Sequence, residues 1–258
     1  MDLQINNQFF IIGGATSGFG NAIAKALLAE GAKILAIARD EDKLVSLQSA
    51  HPTQVEIFAS DITDAGQVKK LEEKIGHRTV HGLLINAGGP PAKTVAETTL
   101  DDWDTAYKTL LRWKVDIAKT LAPKMATAGY GRILFIESSS VKQPLENLVL
   151  SNSLRLASVG FAKTYALEIA ARGVTINILG PGSHNTPAIE RIYKKKSEQT
   201  GQPAEAIRQA AAQQIPVGFL GEADDFASLA VWLLSPHSKY ITGQTISVDG
   251  GMVKSIFG

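Results

Sequence analysis

The chain has 258 residues, 45% of them hydrophobic, enough to bury one sizeable α/β core. A formal net charge of +1 leaves no polyanion footprint, so nucleic acid is not expected as a partner. With no cysteine there is no disulfide framework and no thiolate metal site, and no metal is expected. The first residues lack a basic segment followed by an apolar one, and no apolar run is long enough to span a bilayer. A cytoplasmic protein without membrane contact is therefore the expectation.

Apolar runs alternate with amphipathic stretches along the chain. Strands are expected at Gln8–Gly13, Lys33–Ala38, Val55–Ala59, Gly82–Asn86, Arg132–Glu137, Thr175–Leu179 and Thr245–Val248. Among the helices between them, Gly18–Glu30 repeats Ile23, Ala24, Ala26, Leu27 and Leu28 at helical spacing. Two are longer, Leu100–Ala128 and Ser151–Ala171, and such helices can pack against a second subunit. The strands are apolar throughout rather than alternating, as in a parallel sheet covered on both faces. This reads as one α/β domain over residues 1–258, a Rossmann-type doubly wound parallel sheet. Residues Ser183–Gly221 break the rhythm, with helical pieces at Pro187–Thr200 and Ala204–Gln214 and no strand pattern. Thr186 before Pro187 reads as an N-cap followed by proline at the first helical position. Emerging where open α/β sheets bind ligands, the insertion is expected to be a lid over a substrate pocket. The competing reading is a solvated helical hairpin.

The first strand runs into Gly13-Gly14-Ala15-Thr16-Ser17-Gly18-Phe19-Gly20, which opens directly into a helix. Small residues let the backbone turn sharply and approach a pyrophosphate, whose charge meets the N–H groups at the helix start. The second strand ends Ala36-Ile37-Ala38-Arg39. A site for NAD wants a carboxylate here. Ala38 supplies none, and Arg39 can grip a 2′-phosphate, so the expected cofactor is NADP(H). The alternative is a surface arginine paired with Asp40 or Asp42.

Further pieces follow in order: Asp61-Ile62, Asn86-Ala87-Gly88, Asn177, Pro181-Gly182, Thr186, Tyr240-Ile241-Thr242-Gly243-Gln244 and Val248-Asp249-Gly250-Gly251. With the glycine turn they resemble the short-chain dehydrogenase/reductase family over essentially the whole chain, and most closely its 3-oxoacyl-carrier-protein reductase-like members. The resemblance implies that Asp61 and Ile62 hold the adenine and that Asn86, Ala87 and Gly88 line the ribose. It also implies that Pro181, Gly182 and Thr186 border the nicotinamide. It further implies a homotetramer or homodimer built on the two long helices. Shaping a turn competes as the role of Asn86 and Gly88, and capping as that of Asp61 and Thr186.

Family members reduce a carbonyl with an Asn–Ser–Tyr–Lys tetrad, the tyrosine giving the proton and the lysine lowering its pKa. Gly131-Arg132-Ile133 sets the register, so Ser138 matches the family serine. Counting onward puts Ser151 at the tyrosine position and Arg155 at the lysine position, and Trp103 places Leu110 at the asparagine position. Serine is a far weaker acid than a phenol, arginine relays no proton, and Leu110 holds no water. His184 and Tyr193 are candidate substitute proton donors, as is a water held by Ser138 and Ser151. The polar set Ser138, Ser139, Ser140, Lys142, Gln143, Ser151, Asn152, Ser153 and Arg155 is expected to line the pocket, with capping as the competing role of its serines. The leading reading is an NADPH-dependent oxidoreductase acting on a carbonyl or conjugated enone of a small or acyl substrate. A catalytically silent NADPH-binding sensor or scaffold is the alternative.

Overall fold

A computed structural model describes residues 1–256, apart from the side chains of Ala188, Lys195 and Gln199. The first half forms β1 (Phe9–Gly13), α1 (Gly18–Ala29), β2 (Lys33–Ala38), α2 (Glu41–Ala50), β3 (Val55–Ala59), α3 (Gln67–Ile75) and β4 (Gly82–Ile85). Then come α4 (Leu100–Tyr107), a π-helical turn at Lys108–Arg112, α5 (Trp113–Thr127), β5 (Gly131–Ile136), α6 (Val149–Ile169) and β6 (Val174–Pro181). The chain continues through β7 (His184–Asn185), α7 (Pro187–Thr200), α8 (Ala204–Gln213), β8 (Gly221–Glu222), α9 (Ala223–Leu234) and β9 (Thr245–Val248).

Seven strands pair in parallel in the order β3-β2-β1-β4-β5-β6-β9, the doubly wound sheet expected from the sequence. Successive side chains of each strand point to opposite faces, which is why both faces must be apolar. Ile11, Leu35, Ile37, Leu83, Ile85, Ile133 and Phe135 meet α3, α5 and α6 on one face. Phe10, Ile12, Ile34, Ala36, Leu84, Leu134 and Ile136 meet α1 and α9 on the other.

Two features differ from the expectation. The long helix Leu100–Ala128 is broken by the π-turn, an insertion of one residue that occurs often at functional sites. At the two ends of 183–221 the short strands β7 and β8 pair in parallel and tie the base of the insertion together. Two residues are too few to leave a periodic signal. No helix among the described residues is long and apolar enough to cross a membrane.

Candidate active site

A cleft of about 860 Å³ opens at the carboxyl ends of the strands, running from the β1–α1 turn past β4 and β5 to the start of α7. Gly14, Thr16, Ser17, Gly18 and Phe19 line it. Gly14 has φ of 66° and an added Cβ there would stand 2.6 Å from Asn86 Nδ2, so only glycine fits. Gly20 lies behind this wall: a Cβ would come 2.3 Å from the Gly14 carbonyl oxygen, so the glycine sets how closely α1 approaches β1. Asn86 donates from Nδ2 to the Gly13 carbonyl at 3.2 Å, which adds a turn-locking role to its place in the cleft with Ala87 and Gly88. Ser17 is the N-cap of α1 yet its side chain makes no capping hydrogen bond. The first-turn N–H groups are thus left without a side-chain acceptor, as an incoming phosphate requires.

The adenosine end is built from the ends of β2 and β3. Arg39 is 78% exposed at its side chain and stands 3.6 Å from Asp61 rather than pairing with Asp40 or Asp42. Asp40 instead caps α2 and holds Lys43 at 2.7 Å, and Lys43 also lines the cleft. Sequence reasoning passed over Lys43, whose signal is its place in the first turn of α2, one turn beyond Arg39. Asp61 accepts from the Thr63 N–H and hydroxyl, so it shapes its own turn while facing the cleft beside the buried Ile62. Ser60, also in the lining, has a buried Oγ with no partner in the protein. An unpaired buried hydroxyl, two cations and uncapped N–H groups together fit a phosphorylated dinucleotide.

At the other end the structure assembles a group that sequence reasoning missed in part. Glu137 follows β5 directly, and its carboxylate is fully buried between two cations. Lys114 from α5 reaches it at 2.6 and 2.7 Å, and Arg155 from α6 donates to it from Nη1 at 3.1 Å. Arg155 also donates to the Glu137 carbonyl at 3.0 Å and, through Nε, to Ser151 Oγ at 3.1 Å. Burial pushes Lys114 down to about 8; the Glu137 carboxylate opposes that fall and the Arg155 charge adds to it. A carboxylate ending an apolar buried strand, and a lysine flanked by buried Trp113 and Ile117, were the available signals.

Ser151 and Arg155 are therefore brought together, but only Arg155 reaches the cleft. Ser138 is half-buried, and its Oγ caps the short 3₁₀ turn by accepting from the Ser140 N–H. Leu110 sits in the π-turn and its side chain is buried with Leu150 and Ala106. The expectation that the polar set lines the pocket needs correction: of its members, only Arg155 lines the cleft. Asn152 instead fastens the loop between β5 and α6, donating to and accepting from the Leu145 backbone. Gln143 accepts from the Lys254 N–H.

His184 is also away from the cleft. Its ring packs edge-on against Phe19 and Phe226, with Nδ1 3.1 Å from the Gly182 carbonyl, because β7 turns it into the core. Gly182 itself packs on Asp249, where a Cβ would stand 2.6 Å from the aspartate Cβ, while Pro181 and Thr186 line the cleft. Thr186 is the N-cap residue of α7 as expected, but its side chain makes no capping bond. Burial raises the Tyr193 phenol, opposed by the Arg208 charge, and the ring does not line the cleft.

A parallel doubly wound sheet with a glycine turn and a cleft at its carboxyl edge defines a Rossmann-type α/β fold. The profile of the family described as enoyl-(acyl carrier protein) reductase matches residues 14–253. The chain belongs to the short-chain dehydrogenase/reductase family of oxidoreductases. It is 28% identical over 258 residues to the 3-oxoacyl-[acyl-carrier-protein] reductase FabG of Thermotoga maritima, covering 97% of this chain and 100% of that protein. It is 30% identical over 256 residues to the NADPH-dependent reductase BacG of Bacillus subtilis, covering 94% and 96%. The crystal structure of L-sorbose reductase from Gluconobacter frateurii, complexed with NADPH and L-sorbose, superposes with a TM-score of 0.93 at 28% identity, covering 99% of this chain and 100% of that one.

Proposed function

We propose that this chain is an NADPH-dependent reductase of a carbonyl or conjugated enone in a small or acyl substrate, working in the cytoplasm without the tyrosine–lysine pair. The observation that carries the reading is one continuous cleft joining the glycine turn and Arg39 to Glu137 and Arg155. The NADPH named for the Bacillus subtilis reductase and in the L-sorbose reductase complex supports the choice of cofactor.

Gly14–Gly20 and the start of α1 take the pyrophosphate, Arg39 with Lys43 the 2′-phosphate, and Asp61 with Ile62 the adenine. Asn86, Ala87 and Gly88 border the ribose; Pro181 and Thr186 border the nicotinamide, with Gly182 packed on Asp249 behind them. The bound cofactor supplies hydride to the substrate. In this reading Ser138, which stands next to the cleft-lining Glu137 rather than in the lining itself, keeps its hydroxyl proton uncommitted among the described residues and turns it to the acceptor oxygen. Ser151 holds Arg155 in place through its Oγ. A conjugated enone suits such a site, because an enolate oxygen needs stabilising donors more than an immediate proton. The start of α7 and its Arg191 form the lid side of the cleft.

Stopped-flow mixing of the NADPH-loaded protein with panels of carbonyl compounds and enones tests this. Oxidation of bound NADPH by members of either panel is expected. Tight NADPH binding with no oxidation by any member would instead establish a silent binder.

A further inference from the structure

One edge of the Arg155 guanidinium is left over by the protein. Nε is taken by Ser151 and Nη1 by Glu137, whereas Nη2 has no hydrogen-bond partner among the described residues. This edge faces the loop after β4. A Cβ on Gly89 would stand 3.2 Å from Nη2, so the glycine keeps the approach open, and Gly89 and Arg155 both line the cleft. Behind the edge the charges do not cancel. Lys114 and Arg155 share the single carboxylate of Glu137, and all three side chains are nearly or fully buried, so the ionised cluster carries one excess positive charge. An excess charge at low dielectric is costly, and an anion arriving at the exposed edge relieves it.

Of the two α4 carboxylates that line the cleft, Asp102 is already engaged. Asp102 is held by Lys93 at 2.7 Å and by the Thr99 N–H at the start of α4, and Asp101 lies on the same turn. Arg191 of α7 adds a second guanidinium on the lid side.

We propose that the Lys114–Glu137–Arg155 cluster is a carboxylate-binding site, and that the substrate is a carbonyl or enone compound carrying a carboxylate that docks on Arg155 Nη2. The proposal rests on the reductase reading for the word substrate but not for the site. Glu137 is a positioning residue: it clamps Nη1, which turns the other edge of the fork outward. Lys114 is a second positioning residue: by occupying both oxygens of Glu137 it keeps that carboxylate from neutralising Arg155. A guanidinium fork matches a carboxylate geometrically, which a lysine at this position would not.

The test is calorimetric titration of the NADP⁺-loaded protein, which cannot deliver hydride, with cinnamate and with cinnamamide. Cinnamate should bind more tightly, and Arg155→Gln should remove about ten- to a hundredfold of its affinity, the range for a charge-assisted bond. NADP⁺ affinity should be unchanged in that variant. Lys114→Met leaves the neutral Glu137–Arg155 pair and should weaken cinnamate while leaving cinnamamide alone, at some loss of melting temperature because Glu137 Oε1 loses its donor. Equal or absent binding of the two probes to the wild-type protein overturns the proposal. So does a loss of NADP⁺ affinity in Arg155→Gln with cinnamate unaffected, which assigns Nη2 to the cofactor ribose. Should Arg155→Gln not fold, the wild-type comparison and Lys114→Met decide. Cinnamate discrimination without NADPH oxidation by any compound leaves the site standing and removes the reductase reading; oxidation without discrimination does the reverse.

Discussion

Arg39 directly follows β2, where a carboxylate would repel a 2′-phosphate, and Ala38 before it leaves the guanidinium unopposed except by Asp61 at 3.6 Å. Because the side chain is 78% exposed, solvent screens its contribution. Arg39→Ala should therefore weaken NADPH by about tenfold, the low end for a charge-assisted bond, and leave NADH nearly untouched. Fluorescence titration of both nucleotides measures this, and parallel losses for the two would remove Arg39 from phosphate recognition. Residues such as Arg39 and the turn glycines were legible because their chemistry is local to a strand end. Glu137 and Lys114 were not: they lie 23 positions apart and acquire meaning only when α5 crosses β5. The same holds for His184, whose burial against Phe19 and Phe226 depends on the β7–β8 pairing.

The β1–α1 turn is the element on which nucleotide binding depends, and Gly20 is its tightest point. Gly20→Ala would put a methyl 2.3 Å from the Gly14 oxygen and 2.7 Å from that of Gly13, both backbone atoms that cannot swing aside. Overpacking of this kind costs on the order of 1–3 kcal/mol. The melting temperature should fall by about 2–4 °C for each kcal/mol in a chain of this size, with NADPH affinity falling alongside. An unchanged melt and unchanged affinity would show that the turn has slack. Strands were legible almost to the residue, β2, β3 and β9 fully, because seven apolar runs can only be covered from both faces. The π-turn was not, since Thr109, Leu110 and Leu111 keep an ordinary helical pattern and the inserted residue shows only in the backbone.

For the whole molecule, α6 offers a face that the monomer leaves open, with Leu156 53% and Leu167 82% exposed. We propose that a second copy covers it, in a homodimer or homotetramer. Light scattering behind a sizing column should give a dimer or tetramer, and Leu156→Glu with Leu167→Glu should shift it toward monomer without disturbing NADPH binding. A wild-type monomer at micromolar concentration would contradict this.

The molecule thus combines a glycine turn at one end of its cleft with the buried Lys114–Glu137–Arg155 ion cluster at the other. Isotope transfer tests that combination most directly. NADPH deuterated on the transferring face of its nicotinamide is incubated with each member of the carbonyl and enone panels, and product is analysed by mass spectrometry and NMR for both wild-type and Ser151→Ala. One deuterium is expected on the carbonyl carbon or the β-carbon of the enone with both proteins, since no hydroxyl at position 151 is needed as acid. Bound NADPH that transfers deuterium to no product, or transfer abolished by Ser151→Ala with Arg155 still seated, would contradict it.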